Sequence, residues 1–593
     1  MEQNQKQPLG FGKTMLASAL GMIIASAVLN IIGFFIMVAV LASIMSSSND
    51  GESSLTGDHI YLKVDLSGTL QERTPDELSS LFGQENTVGF CDMITAIDHA
   101  KTDKRIDGIY VFLGDGGSVS WGQGEELRNA LLNFQKETGK NVIAYGTNYS
   151  QSGYYVATAA KRIMAHPAGM VDFRGIGGEV IYYKDLLDKL DIKIDLIRPM
   201  SNSYKSAGET YTRNSMSDAN REQIRAYITS IWNHVASGIA ERRGLTIATV
   251  NHIADELTGY LTKDAFNQHL LDTLLFENDV RNMLKEQYGC KRIVTTSKYA
   301  KSISSKKSDN KIAVIYAEGN VVDGESEGFT TAVYSDDIVA AFDKAAKDDK
   351  VKAIVLRVNS PGGSATASEA MTSAIMKAKA KKPVIVSMSD VAASAGYEIS
   401  CNATKIVAQP TTATGSIGVF ATVPEIGQFL SKHLGITSDT VMTNKNSTGI
   451  GILRPRSAAA RATLQRNVED FYVTFCQRVA KGRGMTVSAV DSIARGRVWT
   501  GLDALKIGLV DTLGGMDLAL KIAAEEAGIK EYAIINYPET QDFFSRLMDN
   551  ANKKDDIKLE ARLNTIIPFY SELRYWSEMS PIQARLPFEI RFE

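Results

Sequence analysis

The chain has 593 residues, 44% of them hydrophobic, and its 65 Lys and Arg nearly balance 68 Asp and Glu, for a formal net charge of −3. This composition is typical of a globular protein with ample material for a core. Because no strongly basic face is indicated, nucleic acid is not expected as a partner. The four cysteines are scattered and form no C-x-x-C pair, so we predict neither a disulfide framework nor a metal site.

The N-terminal region contains an uncharged, apolar segment, residues 14–45. It exceeds the roughly 20 residues that span a bilayer and the roughly 7 to 15 apolar residues of a signal peptide, which predicts an uncleaved transmembrane anchor. A cleaved signal peptide is the alternative. Lys6 and Lys13 precede the segment and Asp50 follows it, so the positive-inside rule places residues 1–13 in the cytoplasm and the rest outside it.

The rest of the chain repeats one pattern at an offset of about 240 residues. AIDHAKTDKRIDGIYVFLGDGGS returns as AFDKAAKDDKVKAIVLRVNSPGGS, and VASGIAERRGLTIATVNHIADELTGYLTKDAF returns as FCQRVAKGRGMTVSAVDSIARGRVWTGLDAL. A register held over so long a span predicts two tandem domains of one fold. Within each copy, short apolar strands alternate with helical patterns, which favours α/β units around a largely parallel sheet.

Composition sets the predicted boundaries of these domains. We expect a polar spacer at 46–57, a first repeat at 58–294, a Ser- and Lys-rich exposed linker at 295–310 and a second repeat at 311–536. The tail, 537–593, is rich in charged and aromatic residues and lies outside the repeats, so we assign it only a packing or assembly role.

The first repeat contains a polar loop, RPMSNSYKSAGETY, around Lys205. Its composition is that of a loop able to reach into a cleft, where a lysine acts as a general base if burial lowers its pKa towards neutrality. The second repeat has VMTNKNSTGIG at this point. There Asn446 matches Lys205, and the displaced Lys445 is expected to be solvated.

The second repeat contains a candidate nucleophile, Ser394, in PVIVSMSDVAASAGYEIS. Small neighbours let a substrate backbone approach, and the N–H groups of the first helical turn can face developing negative charge. On its own, this segment is more typical of a packing serine. The first repeat has Gln151 at the matching position, and Ser152 is one residue out of register and is expected to be non-catalytic.

A glycine turn, VNSPGGS at 358–364, directly follows the strand KAIVLRV. Such a turn can aim successive N–H groups at an oxyanion, and the main-chain N–H groups of Gly363 and Ala395 are the candidate donors. An ordinary strand-to-helix turn is the alternative, whereas the absence of G-x-x-x-x-G-K-[ST] argues against a phosphate loop.

The two copies are complementary, because one has kept the lysine and the other the serine. This pattern predicts one composite site between them. His433, in EIGQFLSKHLG, is the single histidine of the second repeat, and it is more typical of a structural residue than of a base. A Ser-His-Asp triad stays open, because triads are defined in space and not by sequence position.

Five motifs, SPGGS, DVAASAGYEIS, YKSAGE, GRVWTG and LVDTLGG, resemble those of the signal peptide peptidase A (protease IV) family in its long, tandem-repeat, membrane-anchored form. The resemblance implies two ClpP/crotonase-like domains of repeated ββα units, with Ser394 as nucleophile and Lys205 as general base. It also implies a homotetramer at the bacterial cytoplasmic membrane that degrades cleaved signal peptides, without metal or other cofactor. The resemblance implies Gly-Gly in many relatives at the point where this chain has Ala395-Gly396.

Two other classes stay open from the sequence. A crotonase-like acyl-CoA enzyme would share the fold and the oxyanion turn, but it needs a carboxylate acid/base and normally works in the cytoplasm. A non-catalytic membrane scaffold would account for the duplication but not for the complementary serine and lysine.

Overall fold

The computed structural model describes residues 57–68, 70–74, 88–303, 307–326, 332–538 and 582–585. The predicted anchor at 14–45 lies outside these residues, as do the predicted cytoplasmic N-terminus and nearly all of the spacer. In the part of the chain that is described, no helix has both the length and the apolar character needed to cross a membrane.

The first repeat is a parallel sheet flanked by helices. Its strands are β1 (Ile60–Asp65), β2 (Ile106–Asp115), β3 (Asn141–Asn148), β4 (Arg162–Ala165), β5 (Lys193–Ile197), β6 (Thr273–Leu274) and β7 (Arg292–Thr295). Its helices are α1 (Phe90–Thr102), α2 (Trp121–Thr138), α3 (Gln151–Ala157), α4 (Lys184–Lys189), α5 (Glu209–Thr212), α6 (Asp218–Arg243), α7 (Ile247–Asp255), α8 (Thr262–Asn267), α9 (Glu277–Tyr288) and α10 (Thr296–Ser302). The strand order is β6-β4-β3-β2-β1-β7, with every neighbouring pair parallel.

The second repeat has the same plan. Its strands are β8 (Lys311–Glu318), β9 (Asn320–Val322), β10 (Ala332–Tyr334), β11 (Val351–Ser360), β12 (Gly362–Ser364), β13 (Val384–Ala393), β14 (Lys405–Ala408), β15 (Ala413–Gly415), β16 (Phe420–Glu425), β17 (Val498–Thr500), β18 (Thr512–Leu513) and β19 (Ala533–Tyr537), and the tail adds β20 (Ile582–Arg585). Its helices are α11 (Ser335–Lys347), α12 (Ala365–Lys379), α13 (Ala395–Glu398), α14 (Gly427–Leu434), α15 (Ala458–Arg483), α16 (Val487–Ile493), α17 (Gly501–Lys506) and α18 (Met516–Glu526).

The two sheets share one strand order. In the second repeat β18-β14-β13-β11-β8-β19 runs in parallel, matching β6-β4-β3-β2-β1-β7 element by element. Central strands such as β11 are nearly continuous apolar runs because helices cover both faces of a parallel sheet. The predicted α/β architecture with largely parallel sheets is confirmed.

The long helices α6 and α15, of 26 residues each, begin and end at the same kinds of residue in the two repeats. Each is preceded by a serine, Ser217 or Ser457, whose side chain accepts a hydrogen bond from an N–H of the first turn. Each ends at a glycine, Gly244 or Gly484, in the left-handed conformation that glycine adopts without strain.

A third sheet joins the repeats in the order β10-β9-β12-β20-β16-β5. Strand β5 of the first repeat pairs antiparallel with β16 of the second, from Ile197 opposite Ala421 to Lys193 opposite Glu425. The tail contributes β20 to the middle of this sheet, so this part of the tail has a specific place in the fold beyond the general packing role we expected.

The segment predicted to be an exposed linker also differs in part from that expectation. Residues 296–302 form α10, and Tyr299 is fully buried. The Tyr299 hydroxyl donates a hydrogen bond to Asp103 Oδ2 at 3.0 Å, and its ring lies edge-on to His99. One aromatic side chain therefore fixes a Ser- and Lys-rich stretch against the first repeat.

A buried ion cluster also links the two repeats. The Arg357 guanidinium is fully buried on β11 and donates to Glu72 Oε2 at 2.9 Å and to Glu126 Oε2 at 2.8 Å. Ser387 and Ser389 accept its remaining hydrogen bonds. Both carboxylates belong to the first repeat and are themselves almost completely buried. Because water cannot solvate their negative charges there, the guanidinium supplies the compensating positive charge.

Arg357→Met is expected to lower the free energy of unfolding by about 3–5 kcal/mol, because it leaves two buried carboxylates without a counter-charge. The loss should shrink as pH falls, since the abandoned carboxylates then become protonated. Urea denaturation measures it. The control is Arg281→Met, which removes an exposed i,i+4 pair with Glu277 worth about 0–1 kcal/mol. Equal losses in both variants would contradict a structural role for the cluster.

Candidate active site

Ser394 lies at the junction between β13 and α13 and is completely buried. Its φ of 56° and ψ of −118° are unusual for a residue with a side chain, and its N–H donates to Gly415 O at 2.8 Å. Strained backbone of this kind persists only where the surroundings over-determine it, and it clusters at active sites. The next glycine, Gly396, packs so closely on Ser360 that a methyl group there would lie 2.7 Å from its carbonyl oxygen.

Lys205 lies in the loop between β5 and α5 and is also completely buried. Its Nζ lies 2.8 Å from Ser394 Oγ, 3.0 Å from the Ser416 carbonyl oxygen and 2.9 Å from Ser416 Oγ. The structure therefore brings the predicted lysine of the first repeat directly onto the predicted serine of the second, within one chain.

The surroundings of Lys205 favour the neutral amine. Burial lowers the pKa of Lys205 well below its ordinary value, because water no longer solvates the ammonium form. Its three polar contacts are all with uncharged oxygens, and none supplies the negative charge that would restore protonation. A neutral lysine amine has a lone pair with which it can accept a hydroxyl proton.

Close contacts with the second repeat hold the lysine loop in place. The Tyr204 N–H donates to the Arg495 carbonyl at 3.0 Å, and Gly496 lies against the Lys205 backbone. A methyl group on Gly496 would be 2.5 Å from both Lys205 N and Lys205 Cβ. Because the φ of Gly496 is also +83°, only glycine fits at this position. This glycine opens the motif GRVWTG, which thus packs against the lysine loop.

The predicted oxyanion donors lie on two segments that touch. Gly363 is in β12, and Ala395 follows Ser394 at the first residue of α13. A methyl group on Gly362 would be 2.9 Å from Ala395 N, so the glycine turn borders the serine segment directly. The Gly362 N–H itself donates to Ser360 Oγ at 3.2 Å.

The corresponding position in the first repeat holds no serine. Gln151 stands there, and its Oε1 accepts hydrogen bonds from the N–H groups of Arg174 and Gly175. Ser152 is buried, and its Oγ is 3.4 Å from Val119 N. The side chain of Gln151 therefore ties down a loop where the second repeat has its serine.

The lysine position of the second repeat is solvent-exposed. Lys445 and Asn446 both lie in an exposed segment. His433 is also exposed on α14, and its Nε2 is 3.1 Å from Asp191. Among the described residues, Lys205 is the basic side chain in contact with Ser394.

Sequence reasoning missed Ser416, which contacts the lysine through both its carbonyl and its hydroxyl oxygen. Ser416 is fully buried with a φ of 48°, in the small-residue segment TTATGSIGVF. That segment resembles the one around Ser394 in composition, and this was the signal available. Asn202, three residues before Lys205, was missed too. It is buried, and its side chain packs so closely on Gly418 that a methyl group there would lie 2.8 Å from Asn202 Nδ2.

Two known protein families match parts of this chain. A model of peptidase family S49 matches residues 134–291 and 376–530, together more than half of the chain. The chain belongs to peptidase family S49. A Clp protease family model matches residues 308–414, which contain the glycine turn and Ser394. This S49 member is a serine protease with the mixed α/β fold described above.

Several named relatives match most of this S49 protease. Protease 4 of Salmonella typhi is 35% identical over 91% of this chain and 90% of its own length. Protease 4 of Haemophilus influenzae is 32% identical over 85% of each chain. The chloroplastic serine protease SPPA of Arabidopsis thaliana is 30% identical over 78% of this chain and 69% of its own.

The buried amine of Lys205 predicts how the stability of the protein depends on pH. A lysine that is neutral when folded and protonated when unfolded makes stability rise by about 1.4 kcal/mol per pH unit, between its lowered pKa and about 10.4. Lys205→Met removes this dependence. In urea denaturation between about pH 7 and pH 9, the free energy of unfolding of the wild type should therefore increase relative to that of Lys205→Met as the pH rises. Lys445→Met is the exposed control, and parallel curves for wild type and Lys205→Met would mean that the buried amine is charged.

Proposed function

We propose that this S49 protease is an endopeptidase with a Ser394–Lys205 dyad. The observation that carries the proposal is the 2.8 Å contact between Lys205 Nζ and Ser394 Oγ in a fully buried setting. Burial lowers the pKa of the amine, and the contact places its lone pair within proton-transfer distance of the hydroxyl. No histidine is required in this arrangement.

The reaction is acyl transfer to water. Neutral Lys205 takes the proton of Ser394 as its Oγ attacks the peptide carbonyl, and the N–H groups of Gly363 and Ala395 stabilise the oxyanion. The Lys205 ammonium then protonates the leaving amine. Water attacks the acyl-enzyme in the same way, with its proton passing to Lys205 and then to Ser394. Throughout, the two oxygens of Ser416 hold the amine in line with the hydroxyl.

The proposed substrates are cleaved signal peptides and other apolar peptides at the outer face of the bacterial cytoplasmic membrane. The uncharged segment 14–45 would anchor the chain there in a single pass, with both repeats outside the cytoplasm. We also propose the boundaries 58–294 and 311–536 for the two peptidase repeats, and a homotetramer as the assembly. The family resemblance supports these assignments, and neither metal nor other cofactor enters the reaction.

Substitution of each dyad member tests the proposal. Ser394→Ala and Lys205→Ala should each abolish acylation by a fluorescent fluorophosphonate and lower peptide hydrolysis by at least about 10⁴-fold, because neither group works without the other. Ser152→Ala and Lys445→Ala are the matched controls in the other repeat and should retain full activity. Circular dichroism confirms folding. An active Lys205→Ala would place the base elsewhere, and an active Ser394→Ala would overturn the proposed nucleophile.

The pH dependence of acylation tests the protonation state of the base. The wild-type rate should fall as pH drops through the lowered pKa of Lys205, because the ammonium form cannot accept the serine proton. The midpoint should lie below the value of about 10.4 for a free lysine. Fluorophosphonate labelling rates across the pH range measure it, and a midpoint at that free-lysine value would show that burial does not tune the amine.

A further inference from the structure

The second repeat has an open groove between helices α12 and α15, with a volume of about 670 Å³. Three cationic side chains line it, Lys377 from α12 and Arg478 and Lys481 from α15. Thr372 of α12 also lines the groove, although it is only 1% exposed. The groove thus combines a buried hydroxyl with a concentration of positive charge.

The hydroxyl of Thr372 has no hydrogen-bond partner among the described residues. Buried hydroxyls are nearly always paired, because the loss of their hydrogen bonds with water is otherwise uncompensated. A threonine within a helix commonly donates to a carbonyl of the preceding turn, but Thr372 does not. An unpaired donor in the lining of a cationic groove points to a ligand that accepts its hydrogen bond.

The first repeat has a different residue at this position. The segment EELRNAL of α2 matches EAMTSAI of α12, so Arg128 corresponds to Thr372. Arg128 is buried, and its Nη2 donates to the Gly238 carbonyl oxygen of α6 at 3.2 Å. One long side chain therefore bridges α2 and α6, the helices that match α12 and α15. Thr372 is too short to bridge them, which leaves the groove open in the second repeat.

The charge of the groove fits a dianion. Arg478 is already paired, with its guanidinium 2.6 Å from Glu398 Oε1 and 2.6 Å from Glu369 Oε2, but a guanidinium has five N–H groups and keeps donors for a ligand. The excess positive charge is that of Lys377 and Lys481. A phosphate monoester carries about −1.5 to −2 at pH 7 and has three acceptor oxygens, more than a carboxylate offers.

We propose that the groove between α12 and α15 is a binding site for a phosphate monoester. Lys377, Lys481 and Arg478 would surround the phosphoryl oxygens, and the Thr372 hydroxyl would be a further donor. A soluble phosphate ester and the headgroup of a phosphatidic acid both present this group. The inference does not rest on the proposed dyad, because none of these four residues belongs to it.

Isothermal titration calorimetry of the full chain with glycerol 3-phosphate tests the site. The wild type should bind it at least about tenfold more tightly than acetate, and the double variant Lys377→Gln, Lys481→Gln should lose at least about tenfold in affinity, because hydrogen bonds between charged groups are the strong ones. The double variant Lys521→Gln, Lys530→Gln removes the same charge at exposed positions outside the groove and should bind as the wild type does. Equal losses in the two double variants would overturn the site.

Substitution of Thr372 separates a built groove from general attraction between charges. Thr372→Arg introduces the residue type that bridges the helices of the first repeat, so it should fill the groove and abolish binding although it adds a positive charge. Thr372→Val keeps the shape, removes the hydroxyl and should weaken binding about two- to tenfold. Thermal melts confirm folding. Unchanged or tighter binding by either folded variant would contradict the proposal.

A short-chain lipid distinguishes the two sources of the phosphoryl group. Tighter binding of dihexanoyl phosphatidic acid than of glycerol 3-phosphate would identify a lipid headgroup as the ligand, and equal affinities would identify a soluble ester. Dihexanoyl phosphatidylcholine, which has the same acyl chains and no net charge, is the control and should not bind. If the folded wild type binds neither phosphate monoester, the groove is not a phosphoryl site.

Discussion

The proposed site depends on keeping one lysine amine out of water. Lys205 is fully buried, and burial lowers the pKa of its amine, so in the proposed dyad the group can serve as a base only while both repeats enclose it. The loop that carries Lys205 comes from the first repeat, whereas its contacts, Ser394 and Ser416, come from the second. Any loosening between the repeats would admit water and restore the ammonium form.

Several features of the fold serve this enclosure. Strand β5 ends at Ile197, shortly before the lysine loop, and β16 begins at Phe420, shortly after Ser416. Because Ile197 is opposite Ala421, pairing of these strands brings the two loops together. Gly496 then allows the lysine backbone to come closer than any side chain would permit. The buried Arg357 cluster ties the same repeats together at a second point.

Each repeat holds a different member of the proposed dyad. The two sheets have the same strand order, so the second repeat could have kept both groups. Instead, the position matching Lys205 is exposed around Asn446, and the position matching Ser394 holds Gln151, which binds loop N–H groups. The matching position in each repeat thus holds a surface or packing residue, and neither repeat alone contains both members of the proposed dyad.

The sequence determined the α/β class, the duplication and the pairing of Ser394 with Lys205 as candidates, because apolar periodicity and residue identity are local properties that two aligned copies make visible. Tertiary structure alone decided that Ser416 also contacts the amine, that α10 packs through Tyr299, and that β20 enters the third sheet. The order of strands in a sheet depends on main-chain hydrogen bonds between distant segments. Those bonds are the same for every residue type except proline, so Gln583 and Ala584 carry no sequence signal that would place them beside Gly363.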